Sequence, residues 1–428
     1  MRDLTHDIVI IGGGPAGSTA GALLAERGWR VAVLEKDRHP RFHIGESLLP
    51  QNNPLFERLG VLDEVRRIGV IKNGAQFASI EHGKAETFYF DRALDRSQPS
   101  GFEVHRAELD LVLIRNAAAK GAEVHEATRA EAVEFAADAV TVRGTGPAGP
   151  GEWRARFLLD ASGRETFLAD RFRIKHANRR HASVALFGHY EGAERLTGRD
   201  AGNISIYWFD HGWFWFIPLT RGITSVGAVC WPYWLKSRAE PLDDFFDRTI
   251  ALCPALAARL AAARRIAPVT ATGNYSYQAS RCTGARYLLV GDAFAFVDPV
   301  FSSGVYLAMA GAFAAADAVD TALREPARAA RAMRRYERRA RHAIRTFSWF
   351  IYRVTTPAMR DLIMHPRNVL GVVDALVSFL AGDIFRANGV RTRIALFKLI
   401  YYLYSAATPR RSLAALRRRR ANVRAAAA

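Results

Sequence analysis

Cysteine is scarce. Three thiols in 428 residues, Cys230, Cys253 and Cys282, lie far apart without CxxC spacing, which excludes a disulfide framework and a zinc site built on cysteine pairs. They read as buried thiols, and no metal is expected. Long apolar runs are missing too. The stretch 394–407 comes nearest, but it is short and broken by Lys398, too little to span a bilayer. The first six residues are polar and the apolar run after them enters a glycine-rich turn, so no export signal is expected and the expected location is cytoplasmic. Acidic side chains are in deficit, 42 Asp and Glu against 60 Lys and Arg, for a formal charge of +18. The excess is mostly arginine and concentrates in segments 328–345 and 410–420. No nucleic-acid fold motif accompanies it, so nucleic acid is not expected as a partner. An acidic protein surface, an anionic membrane surface touched peripherally, and plain solvated helix faces stand as the open readings.

Half of the residues are apolar, enough for a large core and two or three structural regions. Residues 7–11 (DIVII) form a continuous apolar strand, followed by Gly12, Gly13, Gly14, Pro15, Ala16 and Gly17 and then an Ala- and Leu-rich helix over 18–27 that Gly28 would end. Residues 30–35 (RVAVLE) return as a parallel strand and complete a βαβ unit. GxGxxG alone is a weak signal. Here Gly12, Gly14, Ala16 and Gly17 lie between a strand and a helix, so backbone can approach a pyrophosphate and the helix N-terminus offers it N–H groups. Glu35 ends the next strand, where it can accept hydrogen bonds from ribose hydroxyls.

Farther on, 105–119 reads as an amphipathic helix, 123–142 as paired strands and 157–161 (FLLDA) as another buried parallel strand. From 182 to 229 the pattern is β-rich with alternating aromatics, an antiparallel sheet that would floor a substrate domain. Beyond about residue 313 the chain reads as helical, with Pro357, Pro366 and Pro409 as breakers and a frayed tail after Ala421. The segment 291–308 (GDAFAFVDPVFSSGVYLA) repeats the strand, turn, helix form. Asp292 is placed to accept from a ribityl hydroxyl or the pyrophosphate side, and Asp298 and Pro299 lead into the turn before a helix beginning near Ser303. Two phosphate-facing helix starts some 270 residues apart suit FAD better than a nicotinamide dinucleotide.

GxGxxG with a distal GDAxxxxDP resembles the large FAD-dependent family of aromatic hydroxylases, geranylgeranyl reductases and flavin-dependent halogenases, over about residues 5–320. The resemblance implies an α/β fold, with a Rossmann-type, aromatic-hydroxylase-like FAD-binding domain (1–75, 100–180 and 275–320). It further implies an antiparallel β-sheet substrate domain (76–99 and 181–274) and a helical C-terminal region (321–428). It also gives Arg106, in EVHRAELD, a role in contacting FAD. Trp213, Trp215, Ile217 and Pro218 read WxWxIP, which is similar to the halogenase motif and would line a tunnel between flavin and substrate together with Phe301. Lys72, in IKNGAQF, matches the halogenase lysine that hydrogen-bonds hypohalous acid or carries the halogen as a haloamine. Ser302, Ser303 and Gly304 fall on the halide-binding turn. Phe301 stands where tryptophan halogenases have a catalytic glutamate, and the pattern is closer to the relatives that halogenate phenols and pyrroles. Asp160, Ala161, Ser162 and Gly163 interrupt the Asp-Gly pair of single-component hydroxylases, which implies FADH2 supplied by a separate flavin reductase in transient contact. The implied enzyme is an FADH2- and O2-dependent halogenase using chloride or bromide on an electron-rich aromatic, free or on an acyl carrier protein. A reductase or monooxygenase of the same fold, acting on a lipid-like or polyketide substrate, is the alternative.

Overall fold

The protein is described here by a computed structural model covering residues 3–178, 183–273, 276–386 and 389–427, with side chains as far as Asn422. The strand Ile8–Ile11 has no polar side chain and all four residues are buried, so it takes the centre of a sheet covered on both faces. It pairs in parallel with Val31–Leu34 on one side and Phe157–Asp160 on the other. Tyr287–Leu289 and the antiparallel Thr283–Gly284 extend one edge, and Glu123–His125 closes the other. The helix Pro15–Glu26 starts with proline in its first turn, where the missing N–H costs nothing, and its small residues are buried from Ala16 to Leu24. The paired-strand expectation for 123–142 therefore divides. Residues 123–125 join the parallel sheet, while Arg129–Phe135 and Val140–Gly146 form a separate three-stranded sheet with Gly149–Ala155.

A second sheet orders Arg264–Arg265, Val184–Glu191, Ile223–Cys230, Gly212–Pro218, Ile204–Phe209, Gly74–Ser79 and Lys84–Tyr89. It is antiparallel but for one pairing, since Ile204–Phe209 runs parallel to Gly74–Ser79. These two strands are far apart in the chain, so no hairpin constrains their direction. The β-rich pattern read from 182 begins outside the described residues at that position, and the strand itself starts at Val184. Period-two alternation divides Gly212–Pro218. Phe214 and Phe216 pack with Tyr207, Phe245 and Phe246 on one face, leaving Trp213, Trp215 and Ile217 on the other.

The C-terminal region is helical, in the segments Ala329–Ile351, Pro357–Met364, Val372–Leu380, Val390–Ala407 and Pro409–Ala427. Pro357 and Pro409 each open a helix and Pro366 follows one. The expected frayed tail is instead helical backbone to Ala427. These helices cover the second sheet with a second core, in which Phe350 stacks on Phe379 at 4.0 Å between ring centres. The described helix long and apolar enough to cross a membrane, Gly304–Arg324, packs inside instead, with Ala312, Ala315, Ala316 and Val319 fully buried.

Candidate active site

Between the two sheets lies a cavity of about 440 Å³. Its walls bring together most of the residues singled out from the sequence: Gly12, Gly14, Ala16, Glu35, Arg106, Asp292, Pro299, Ser302 and Gly304, with Trp213, Trp215 and Ile217. Segments 280 residues apart in sequence converge because the strands preceding both turns belong to one parallel sheet.

The first turn is built for backbone approach. Gly12 takes φ +102°, and a Cβ there would meet Ala161 O at 2.4 Å. Gly17 is not in the cavity wall. Its Cβ would lie 1.8 Å from Gly12 O, so this glycine sets how closely helix and strand pack. The Glu35 carboxylate accepts the Gly13 N–H at 2.7 Å and the Asp37 N–H at 2.9 Å, which fixes the turn while its edge faces the cavity. Arg106 donates twice to Asp110, at 3.0 and 3.1 Å, and holds Ile44 O at 2.8 Å. Arg41 also reaches Asp110, at 2.9 Å. Burial alone would raise the Asp110 carboxyl, but Arg106 and Arg41 outweigh it and hold it below its ordinary value. At the far end, burial pushes the Asp292 carboxyl up to about 7, against the pull of Arg164 and Arg106.

Ser302 has φ +54° and ends the turn Pro299–Phe301, and Ser303 then stands at the N-terminal boundary of the helix Gly304–Arg324 without a side-chain capping bond. Ser303 is buried behind that turn, and the space around Gly304 is open. Pro218 ends its strand against Thr224, away from the cavity. Phe301 packs on Phe379 and Phe350 at 5.4 and 6.3 Å, within the helical core. Trp215 is held by its indole N–H to Ser225 Oγ at 3.1 Å and lies across Gly227.

Lys72 ends the strand Gly69–Lys72 and is 1 % exposed. Its ammonium donates to Ser47 Oγ at 2.8 Å and Leu48 O at 3.2 Å, with the Phe90 ring at 5.5 Å. Lys72 does not line the cavity itself, whereas Ser47 does, so the lysine stands one residue behind the wall. Burial lowers its pKa, opposed by Glu103.

The FAD binding domain family matches residues 5–349. A flavin-dependent halogenase of Armillaria mellea is 33% identical over 347 residues, 75% of this chain and 68% of that protein. This chain belongs to the flavin-dependent halogenases. Across this family, a 1H-pyrrole-2-carbonyl-[peptidyl-carrier protein] chlorinase of Pseudomonas fluorescens is 29% identical over 413 residues, 90% of this chain and 91% of the relative. The solved structure of a myxobacterial chondrochloren halogenase, an FAD-dependent halogenase, superposes with TM-score 0.78 at 32% identity, covering 94% of this chain and 97% of that one. In this halogenase, sequence reasoning missed Arg41, Asp110, Arg164, Glu46, Ser47 and Glu103. The i,i+4 spacing of Arg106 and Asp110 was a usable signal. Arg41, Glu46 and Ser47 sit on irregular segments and Arg164 on the single helical turn Gly163–Glu165, with no period to mark any of them. Among the described residues no cluster of His, Cys, Asp or Glu could hold a metal ion.

Proposed function

We propose that this chain halogenates an electron-rich aromatic ring, phenolic or pyrrolic, with Lys72 directing the halogen. Bound FAD, reduced, supplies the electrons that turn O2 and chloride or bromide into hypohalous acid. The residues present fit that cofactor. Gly12, Gly14 and Ala16 would admit the pyrophosphate at a helix N-terminus, with Gly17 letting that helix pack close to the strand, Glu35 would take the ribose, and Arg106, Asp292, Pro299 and Gly304 would hold the flavin half. Backbone N–H groups at Ser302, Ser303 and Gly304 would hold the halide. Trp213, Trp215 and Ile217, which line the cavity, would wall the path to substrate. The observation that carries the reading is an ammonium enclosed at 1 % exposure, hydrogen-bonded to a serine of the cavity wall. A solvated surface lysine would have neither property. The segment Asp160, Ala161, Ser162 and Gly163 lacks the intact Asp-Gly pair of single-component hydroxylases, which supports reduced flavin arriving from a separate reductase.

The test is to incubate the protein with a flavin reductase, bromide and a panel of phenols, pyrroles, tryptophan and carrier-bound aromatics, and to look for the bromine isotope doublet. Lys72→Ala should keep flavin affinity and lose halogenated product by a factor of at least about 100, in line with removal of a group acting in the transition state. Halogenation near the parent rate in that variant removes Lys72 from the mechanism. Turnover without any halide requirement favours the reductase or monooxygenase alternative.

A further inference from the structure

Lys72 and Glu103 occupy the paired strands Gly69–Lys72 and Gly101–Val104, with Val70 opposite Glu103 and Lys72 opposite Gly101, so their side chains leave the same face. Ser47 lies between them. Its hydroxyl accepts from Lys72 Nζ at 2.8 Å and donates to Glu103 Oε1 at 3.1 Å. Glu103 is fully buried, and its Oε2 has no hydrogen-bond partner. A carboxylate left that way is costly, and a carboxylic acid much less so. The other titratable group acting on this trio is Glu46, whose Oε1 pairs with His189 Nε2 at 2.6 Å.

We propose that Glu103 is the proton partner of Lys72, exchanging one proton with it through the Ser47 hydroxyl. The Lys72 ammonium gives a proton to Ser47 Oγ as Ser47 gives its own to Glu103 Oε1, leaving a neutral amine and a neutral acid. The inference rests on Lys72 directing the halogen. The neutral amine then attacks hypohalous acid: N–X forms, O–X breaks, and hydroxide leaves as water with an amine proton. The ring takes X from nitrogen and its displaced proton returns to the amine. Burial pushes the Glu103 carboxyl up to about 8, while Lys72 and Ser47 pull it down, and burial lowers Lys72, so burial brings the proton affinities of the two toward each other.

The experiment follows the Lys72 ε-carbon by NMR in protein labelled with 13C-lysine, titrated across roughly pH 5 to 10, with the signal assigned by its loss in Lys72→Met. In Glu103→Gln the Lys72 midpoint should fall by about one pH unit or more, because the countercharge is gone. Ser47→Ala keeps both charges but breaks the bridge. It should slow single-turnover halogenation at least ~10-fold with flavin affinity unchanged, and Ser47→Thr should restore the rate. An unshifted Lys72 midpoint in Glu103→Gln overturns the pair, and so does a Ser47→Ala enzyme at parent rate where Lys72→Ala is inactive. The parent reading fails separately: if Lys72→Ala still halogenates while the midpoint shifts, the proton pair stands and the halogen-directing role falls.

Discussion

A Cβ at Gly17 would lie 1.8 Å from Gly12 O, whereas a Cβ at Gly14 has only the end of Arg41 for a neighbour, at 3.6 Å. The same motif therefore contains one glycine needed by the fold and one whose Cβ the fold would tolerate at the cavity wall. Gly14→Val should fold with a near-parent melting temperature and lose flavin binding, because its branches project into the cavity. Gly17→Val should fail to yield stable protein, since backbone must move by more than an ångström to make room. Flavin titration of the purified Gly14→Val protein and soluble yield of the Gly17→Val protein decide the matter. Normal flavin affinity in Gly14→Val removes this turn from the cofactor site. A well-folded Gly17→Val would show that the helix can lift from the strand at little cost. Sequence alone marked both glycines but could not separate their duties, because spacing says nothing about what a missing Cβ would touch.

The last two helices are tied to the rest of the chain by a polar anchor at Asp361 on the helix Pro357–Met364. Asp361 accepts from Tyr404 at 3.0 Å and Arg411 at 2.8 Å, and pairs with His82 Nε2 at 2.8 Å. Burial would raise this carboxyl, but the hydrogen bonds from His82, Tyr404 and Arg411 outweigh it and lower it. A carboxyl with a depressed folded-state pKa stabilises the fold above its unfolded value and loses that contribution as pH falls through the folded one. Asp361→Asn should therefore lower the melting temperature by roughly 2–5 °C at pH 7, and the gap to the parent should close as the pH is taken below about 4. A gap that persists unchanged in acid would mean the loss is one of packing, not charge. This anchor illustrates what was legible and what was not. The breakers Pro357, Pro366 and Pro409 and the helical character of the region follow from local chemistry, as do the apolar strands around Gly12. The partners of Asp361 are 279 residues away at His82 and 50 away at Arg411, and no periodicity connects them. The parallel pairing of Ile204–Phe209 with Gly74–Ser79 was hidden for the same reason, and so was Glu103, whose proximity to Lys72 exists only once Ser47 is folded between them.

Charge is distributed over the whole molecule in a way that the reaction on a free phenol does not require. On the helices Val390–Ala407 and Pro409–Ala427, Leu399, Tyr402, Leu403, Leu413 and Leu416 are exposed beside exposed Arg410, Arg411, Arg417, Arg418 and Arg420. Arg411 and Arg418 have acidic partners at Glu81 and Asp210, so part of the positive charge is spent on holding the helices down. The remainder, within a net charge of +18, would attract an acidic carrier protein by long-range steering, and the exposed leucines would then give it an apolar contact. The same mixture suits a merely solvated helix face, and salt distinguishes the two. Turnover of a carrier-bound aryl substrate should exceed that of its free acid or a small thioester at ~50 mM salt and fall toward it by ~500 mM, a range over which the Debye length shrinks severalfold. Reversing two exposed charges, Arg417→Glu and Arg420→Glu, should cut the low-salt rate for the tethered substrate while leaving the free acid untouched, since these residues are far in sequence from the cavity wall and absent from it. Equal rates for tethered and free substrate at every salt concentration would rule out the carrier protein. A salt effect that survives the double reversal would move the docking charge elsewhere on the surface, toward the arginines of the helix Ala329–Ile351.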